Sequence, residues 1–131
     1  MGILASLSTA ARPPYDAAAN AMEFATVTTN ETPQAKATVQ VDNERTRVTE
    51  WRFAPGAATG WHRHGYDYVV VPMTTGTLRL KGPDGTRDAA LTAGVSYFRA
   101  LGVEHDVINA SGHEFVFVEI EFKDSAPNRV T

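Results

Sequence analysis

The sequence contains no cysteine. Disulfides, thiolate metal sites and cysteine nucleophiles are therefore excluded. Lysine is scarce, the arginines are scattered, and the formal net charge is −3, so we expect neither a nucleic-acid nor a membrane-surface partner. No apolar run approaches the ~20 residues that span a bilayer. The 131 residues suffice for one domain with its own core, and we expect a cytoplasmic protein.

Turn signals divide most of the chain into short runs with the alternation of β-strands. Runs of this kind cover residues 24–29, 36–41, 46–54, 61–64, 68–73, 77–81, 87–91, 95–99, 105–109 and 114–122. In the last run Val116, Val118, Ile120 and Phe122 share one face, while Phe115, Phe117, Glu119 and Glu121 share the other. About ten short strands without a convincing helix predict an all-β barrel or two-sheet sandwich.

The ends of the chain have a different composition from this β-rich part. Residues 1–23 are rich in alanine and interrupted by Pro13 and Pro14, which is typical of an arm outside the core. Residues 125–131 are polar. We therefore predict an N-terminal arm over 1–23, a barrel over 24–124 and a flexible tail over 125–131.

Two histidines separated by one residue form the first candidate for a chemical site. His62 and His64 lie in a predicted strand, where residues i and i+2 project to the same face. Two imidazoles on one face can converge on one metal ion. An isolated pair of this kind is weak evidence for a metal site, so the spacing of the neighbouring glycines and of the third histidine has to be considered with it.

That spacing is ordered in two segments. The first has Gly56, His62, His64 and Gly76, and the second has Gly94, Gly102, His105 and Asn109. Together they resemble the two signature motifs of the cupin superfamily, over roughly residues 36–122. The resemblance implies a double-stranded β-helix, also called a cupin or jelly-roll barrel, in which His62, His64 and His105 bind one divalent metal ion.

Two positions depart from the cupin pattern. Ala100 stands where the second motif has proline, and Val69 stands where the first motif has a glutamate ligand. Valine cannot bind a metal, although a bulge in the strand would turn the neighbouring Tyr68 or Asp67 inward. The simplest interpretation is a centre of three neutral histidines without a protein carboxylate.

A three-histidine centre keeps the full charge of the ion and leaves positions open for a ligand. It suits small molecules that chelate as anions, and Fe(II) is the favoured metal, with Zn, Ni, Mn or Cu as alternatives. Cupins with such centres include thiol dioxygenases and a β-diketone-cleaving dioxygenase. Residues 48–53 and 62–72 also resemble small cupins associated with β-alanine degradation.

The function predicted from this resemblance is a dioxygenase-like enzyme acting on a small organic acid or dicarbonyl. Two alternatives stay open: a non-redox isomerase or lyase, and a non-catalytic metabolite-binding module. Aromatic and neighbouring residues form a candidate pocket, namely Trp51, Phe53, Tyr68, Val69, Phe98 and Phe117. Arg52, Arg63 and Arg99 are candidates to pair with a substrate carboxylate. Small cupins commonly dimerise through sheet edges, so we also expect a homodimer.

Overall fold

The computed structural model describes residues 32–125. Within that range the chain forms nine strands and one short 3₁₀ turn. The strands are β1 (Lys36–Asp42), β2 (Thr46–Phe53), β3 (His62–Arg63), β4 (Asp67–Pro72), β5 (Gly76–Gly82), β6 (Gly85–Leu91), β7 (Tyr97–Arg99), β8 (Glu104–Asn109) and β9 (Phe115–Phe122), followed by the turn Lys123–Ser125.

The strands assemble into two antiparallel sheets. The first has the order β1-β2-β9-β4-β7 and the second the order β3-β8-β5-β6. Strands from distant parts of the sequence are neighbours in both sheets, as in a double-stranded β-helix. The all-β jelly-roll architecture predicted from the sequence is confirmed.

Alternating burial explains how the two sheets face each other. In β4 the buried residues are Tyr68, Val70 and Pro72, and the residues between them are less buried. In β9, which pairs with β4, Phe115, Phe117 and Glu119 are buried on the same face of the sheet as these β4 residues. Burial of the apolar side chains between the sheets is the main stabilising contribution, at about 25 cal/mol for each Å² removed from water.

Asn109, at the end of β8, holds together one end of the barrel. Its side chain is 1% exposed, and its amide nitrogen donates to the carbonyl oxygens of Phe53, Ala54 and His113 at 3.3, 3.3 and 2.8 Å. Its amide oxygen accepts from the N–H of Ser111 at 2.8 Å. The asparagine of the second motif is therefore a structural residue that links three segments.

The predicted strands agree with the observed ones to within two residues inside the described range. The predicted arm, the predicted strand 24–29 and residues 126–131 lie outside the described residues. Ser125, the first residue of the predicted tail, has its hydroxyl bonded to the N–H of Asp67 at 2.7 Å. No helix in residues 32–125 is long and apolar enough to cross a membrane.

Candidate metal centre

The three histidines of the two motifs meet inside the barrel. His62 on β3 pairs directly with His105 on β8, which brings both side chains to the same face of the sheet. His64 follows β3, and its N–H donates to the carbonyl of Val103 at 2.9 Å. The Nε2 atom of His64 lies 3.1 Å from that of His62 and 3.2 Å from that of His105.

Backbone contacts fix the orientation of the His62 ring. Its Nδ1 lies 2.9 Å from the carbonyl oxygen of Gly60, which can only accept, so Nδ1 carries the proton and Nε2 carries the lone pair. The N–H of Gly60 in turn donates to the carboxylate of Asp106 at 3.0 Å. This outer contact holds the Gly60 loop, and such contacts orient metal-binding histidines.

The surroundings keep two of the rings uncharged. Burial lowers the pKa of His64 to about 3, with further lowering by His62 and His105. Burial also lowers the pKa of His105 to about 4, followed by the effects of His62 and Arg99. Neutral imidazole is the form that binds metals, so these rings do not need to lose a proton near neutral pH.

The spacing of the nitrogens fits a metal ion. Nitrogens bound about 2.1 Å from one ion lie roughly 3.0–3.4 Å apart in octahedral or tetrahedral geometry. The observed separations of 3.1 and 3.2 Å agree with that range. All three ligand atoms lie within 4.8 Å of one another. In the tautomer in which every Nε2 carries a lone pair, three lone pairs converge and a cation between them removes their repulsion, so the donor set fits a divalent ion.

A carboxylate that sequence analysis missed stands beside this centre. Glu119 on β9 is 9% exposed, and its Oε2 lies 4.0 Å from Nε2 of His64. Burial raises the pKa of Glu119 to about 7; neighbouring Glu121 raises it further, and a hydrogen bond with Trp51 acts in the opposite direction. The sequence predicts three histidine ligands and no carboxylate ligand; Glu119 is a buried carboxylate that stands next to those histidines.

Tyr68 projects toward the histidines. The motif alignment places Val69 at this inward position, where other cupins have a glutamate ligand. Its ring stacks on His64, with centroids 3.9 Å apart and planes 18° apart. Its hydroxyl is buried and has no hydrogen-bond partner among the described residues. Burial and nearby Glu119 raise the pKa of Tyr68. The phenol is thus a neutral donor beside the histidines. The alternative residue, Asp67, instead accepts from the N–H of Leu101 at 2.8 Å.

A cavity of about 450 Å³ opens from the histidines between the two sheets. His62 and His105 line it, as do Trp51, Tyr68 and Phe117 from the predicted pocket. This volume lies within the range of about 300–1,000 Å³ typical of small-molecule sites. The centre is therefore open to a ligand of modest size.

The other three predicted pocket residues lie elsewhere. Phe53 is fully buried in the core next to Phe117, with ring centroids 5.5 Å apart. Val69 and Phe98 pair with each other across β4 and β7 on the outer side of the sheet, and Phe98 is 56% exposed. Strand alternation causes the difference, since Tyr68 and Tyr97 take the inward positions.

Of the three predicted substrate-binding arginines, two already have partners. Arg52 lies 3.1 Å from the carboxylate of Glu114, and Arg63 lies 3.1 Å from that of Glu104. Arg99 lines the cavity and has no acidic partner among the described residues. His113, outside both motifs, is exposed and contacts the carbonyl of Glu114 at 2.9 Å, away from the centre.

Comparison with known proteins identifies close relatives. The chain is 69% identical over 91 residues to the β-alanine degradation protein BauB of Pseudomonas aeruginosa, which covers 70% of this chain and 96% of that protein. It is 66% identical to a cupin domain from Bordetella pertussis Tohama I whose crystal structure superposes with a TM-score of 0.70, covering 71% of this chain and 97% of that one.

A further solved structure is similar in fold alone. The polyketide cyclase RemF from Streptomyces resistomycificus is 18% identical, with a TM-score of 0.57, covering 83% of this chain and 88% of that one. No protein-family model matches the chain.

Proposed function

The chain belongs to the cupin family, as its 66% identity to a cupin domain shows, and it is 69% identical to the β-alanine degradation protein BauB. We propose on this basis that it is a metal-dependent enzyme that acts on a small organic acid or dicarbonyl. The favoured chemistry is oxidative, with Fe(II) as the metal. The observation that carries the proposal is the convergence of the Nε2 atoms of His62, His64 and His105 at one end of a cavity.

The three histidines would hold the ion through Nε2, and Gly60 would keep the His62 ring in the required tautomer. When bound, Fe(II) in an imidazole-rich site supplies Lewis acidity and reactivity toward dioxygen. The aromatic wall formed by Trp51 and Phe117 excludes water from the apolar part of a ligand. The hydroxyl of Tyr68 offers a hydrogen bond to a ligand oxygen.

A second function, non-redox isomerisation or elimination, is supported by a separate observation. Glu119 places a buried carboxylate in the same cavity, 4.0 Å from Nε2 of His64. A carboxylate in that position can accept a proton from a carbon next to a carbonyl, provided that the substrate reaches it. Such a reaction would need the metal only to polarise the carbonyl.

The decisive experiment measures metal and oxygen together. Protein purified without added metal is analysed for its metal content, and oxygen uptake is then followed with a panel of β-dicarbonyls and thiols. Iron near one ion per chain with iron-dependent oxygen uptake is the expected result. Zinc with no oxygen uptake would contradict the oxidative proposal and favour the isomerase, lyase or binding-module alternatives. Protein that contains no metal would contradict every metal-dependent function proposed for the site.

We also propose that the protein forms a homodimer. Strand β1 is at the edge of its sheet, and all of its residues are exposed in the described part of the chain, including Val39 at 56%. Exposed edge strands are usually covered in native proteins. Light scattering on the full chain should give twice the chain mass; a monomer at all concentrations would contradict the proposal.

A further inference from the structure

The arginines of the described residues divide into two groups by their partners. Five of them each lie between 2.9 and 3.6 Å from a carboxylate oxygen, and they are Arg45, Arg47, Arg52, Arg63 and Arg79. The remaining two, Arg87 and Arg99, have no acidic partner within residues 32–125, and both line the cavity of the candidate metal centre. The two arginines without an acidic partner are thus both found at one cavity.

Arg99 is held close to the histidines by its strand. It pairs in register with Tyr68, whose ring stacks on His64. Its guanidinium carbon lies 4.5 Å from the centre of the Tyr97 ring, a cation–π contact, and one nitrogen donates to the carbonyl of Phe98 at 3.0 Å. A guanidinium has five N–H donors, so most of them stay available. The side chain is half-buried.

Arg87 approaches the same cavity from the other sheet. On β6 it shares a face with Ala89 and Leu91, which pack in the core, so its side chain projects inward and reaches the mouth of the cavity. Strands β6 and β7 are the edge strands of the two sheets. The two guanidinium groups therefore stand on the two walls of one opening.

We propose that Arg87 and Arg99 form a carboxylate-binding subsite, so that the ligand of this cavity is a small acid with a carboxylate at one end and a metal-chelating oxygen group at the other. Guanidinium pairs bind carboxylates through charge-assisted hydrogen bonds, often in bidentate geometry. The inference rests on the proposed function for the metal end of the ligand. What is new is that Arg87 and Arg99 recognise the carboxylate end of the ligand.

The acidic residues of the cavity leave this subsite free. Glu119 lies deep in the cavity beside His64, and Glu104 is paired with Arg63. Asp84, in the turn between β5 and β6, lines the cavity without an ion pair to either arginine. A ligand carboxylate at the mouth would therefore complete the pairing of two charges that the protein itself leaves open.

The test measures the binding of malonate, succinate and glutarate by calorimetry at fixed ionic strength, with their dimethyl esters as uncharged probes. The proteins are the wild type, Arg87→Gln, Arg99→Gln and the double variant, each in metal-loaded and chelator-treated form. The wild type should prefer at least one dicarboxylate to its ester. The double variant should bind that dicarboxylate at least about tenfold more weakly in both forms.

Arg79→Gln is the matched control, because Arg79 lies on the outer face of the same β5–β6 hairpin, paired with Asp88 at 2.9 Å. It should change binding less than about twofold, and Arg99→Lys should recover only part of the loss. A double variant that binds dicarboxylates as tightly as the wild type, or a wild type that binds none, would overturn the subsite. If the wild type takes up no metal but the arginine effect persists, the proposed function fails while the subsite stands.

Discussion

The two ends of strand β8 follow opposite rules of hydrogen bonding. At its C-terminal end, Asn109 is almost fully buried and bonds to four backbone groups. At its N-terminal end, His105 faces two other ring nitrogens, and the nearby hydroxyl of Tyr68 has no partner among residues 32–125. Buried polar groups are normally satisfied, so an unsatisfied set at one end indicates a place that a ligand completes.

The largest expected effect is a loss of metal affinity when a histidine at the N-terminal end of β8 is removed. His105→Ala removes one nitrogen from the donor set, so we expect metal affinity to fall by more than about 100-fold. Metal content after dialysis against a defined metal buffer measures this. The metal-free variant should keep the circular dichroism of the metal-free wild type. Unchanged metal content would show that the three histidines are not the binding site.

The next largest effect is a loss of stability when Asn109, at the C-terminal end of β8, is replaced. Asn109→Ala removes the amide that bonds to three carbonyls and to the N–H of Ser111, and the carbonyl of Ala54 keeps a second donor, the N–H of Ala57. We therefore expect the free energy of unfolding to fall by about 2–4 kcal/mol. Urea unfolding of the metal-free protein measures it. Metal bound per folded chain should stay the same at low temperature, because the ligands are at the other end of the strand. A loss of metal without a loss of stability would contradict this division of roles.

An intermediate effect is expected in the pH dependence of the metal-free protein. The pKa values of His64 and His105 are about 3 and about 4 in the folded state, below the ordinary 6.5. Between the folded pKa values and 6.5, these histidines bind more protons in the unfolded chain than in the folded protein. The free energy of unfolding therefore falls as the pH falls from about 6.5 toward 4. Glu119 acts in the opposite sense: its pKa is raised from 4.5 to about 7, so its contribution is lost as pH rises through that window.

Urea unfolding between pH 4.5 and 7 separates these two contributions. His105→Gln should make the loss of stability on acidification shallower, and Glu119→Gln should make it steeper. Equal slopes for all three proteins would show that neither group has a shifted pKa in the folded protein.

The smallest expected effect comes from the tyrosine hydroxyl. Tyr68→Phe removes a buried oxygen without a partner and keeps the ring that stacks on His64, so we expect unfolding stability to stay the same or rise by about 1 kcal/mol. Thermal unfolding of the metal-free protein measures this. A loss above about 1 kcal/mol would mean that the hydroxyl has a hydrogen-bond partner in solution and that the polar groups near the histidines are satisfied without a ligand.

The histidines were predictable because their spacing reports strand geometry directly. His62 and His64 share a face by parity, and His105 lies opposite His62 once the two motif strands pair. Val69 illustrates where counting fails. The bend at Gly65 and Tyr66 separates β3 from β4, so positions counted from His64 do not preserve the face, and Tyr68 turns inward instead.

Glu119 and Arg87 were missed although the sequence contained a signal for each. Glu119 shares its strand face with Phe115 and Phe117, and a carboxylate on an aromatic face is expensive to bury without a purpose. Arg87 shares its face with Ala89 and Leu91. Which inward charge stays unpaired depends on the packing of two sheets, and no pattern within one strand contains that information.

The short pairing of β3 has a consequence for hydrogen exchange. This strand is joined to β8 over only two residues, while His64 and His105 stand 41 positions apart in the sequence. An ion held by all three rings would cross-link these two segments and oppose their local opening. The amide of His64, bonded to Val103, should then exchange with solvent more slowly in the loaded protein, while amides in the β2–β9 pairing should change little.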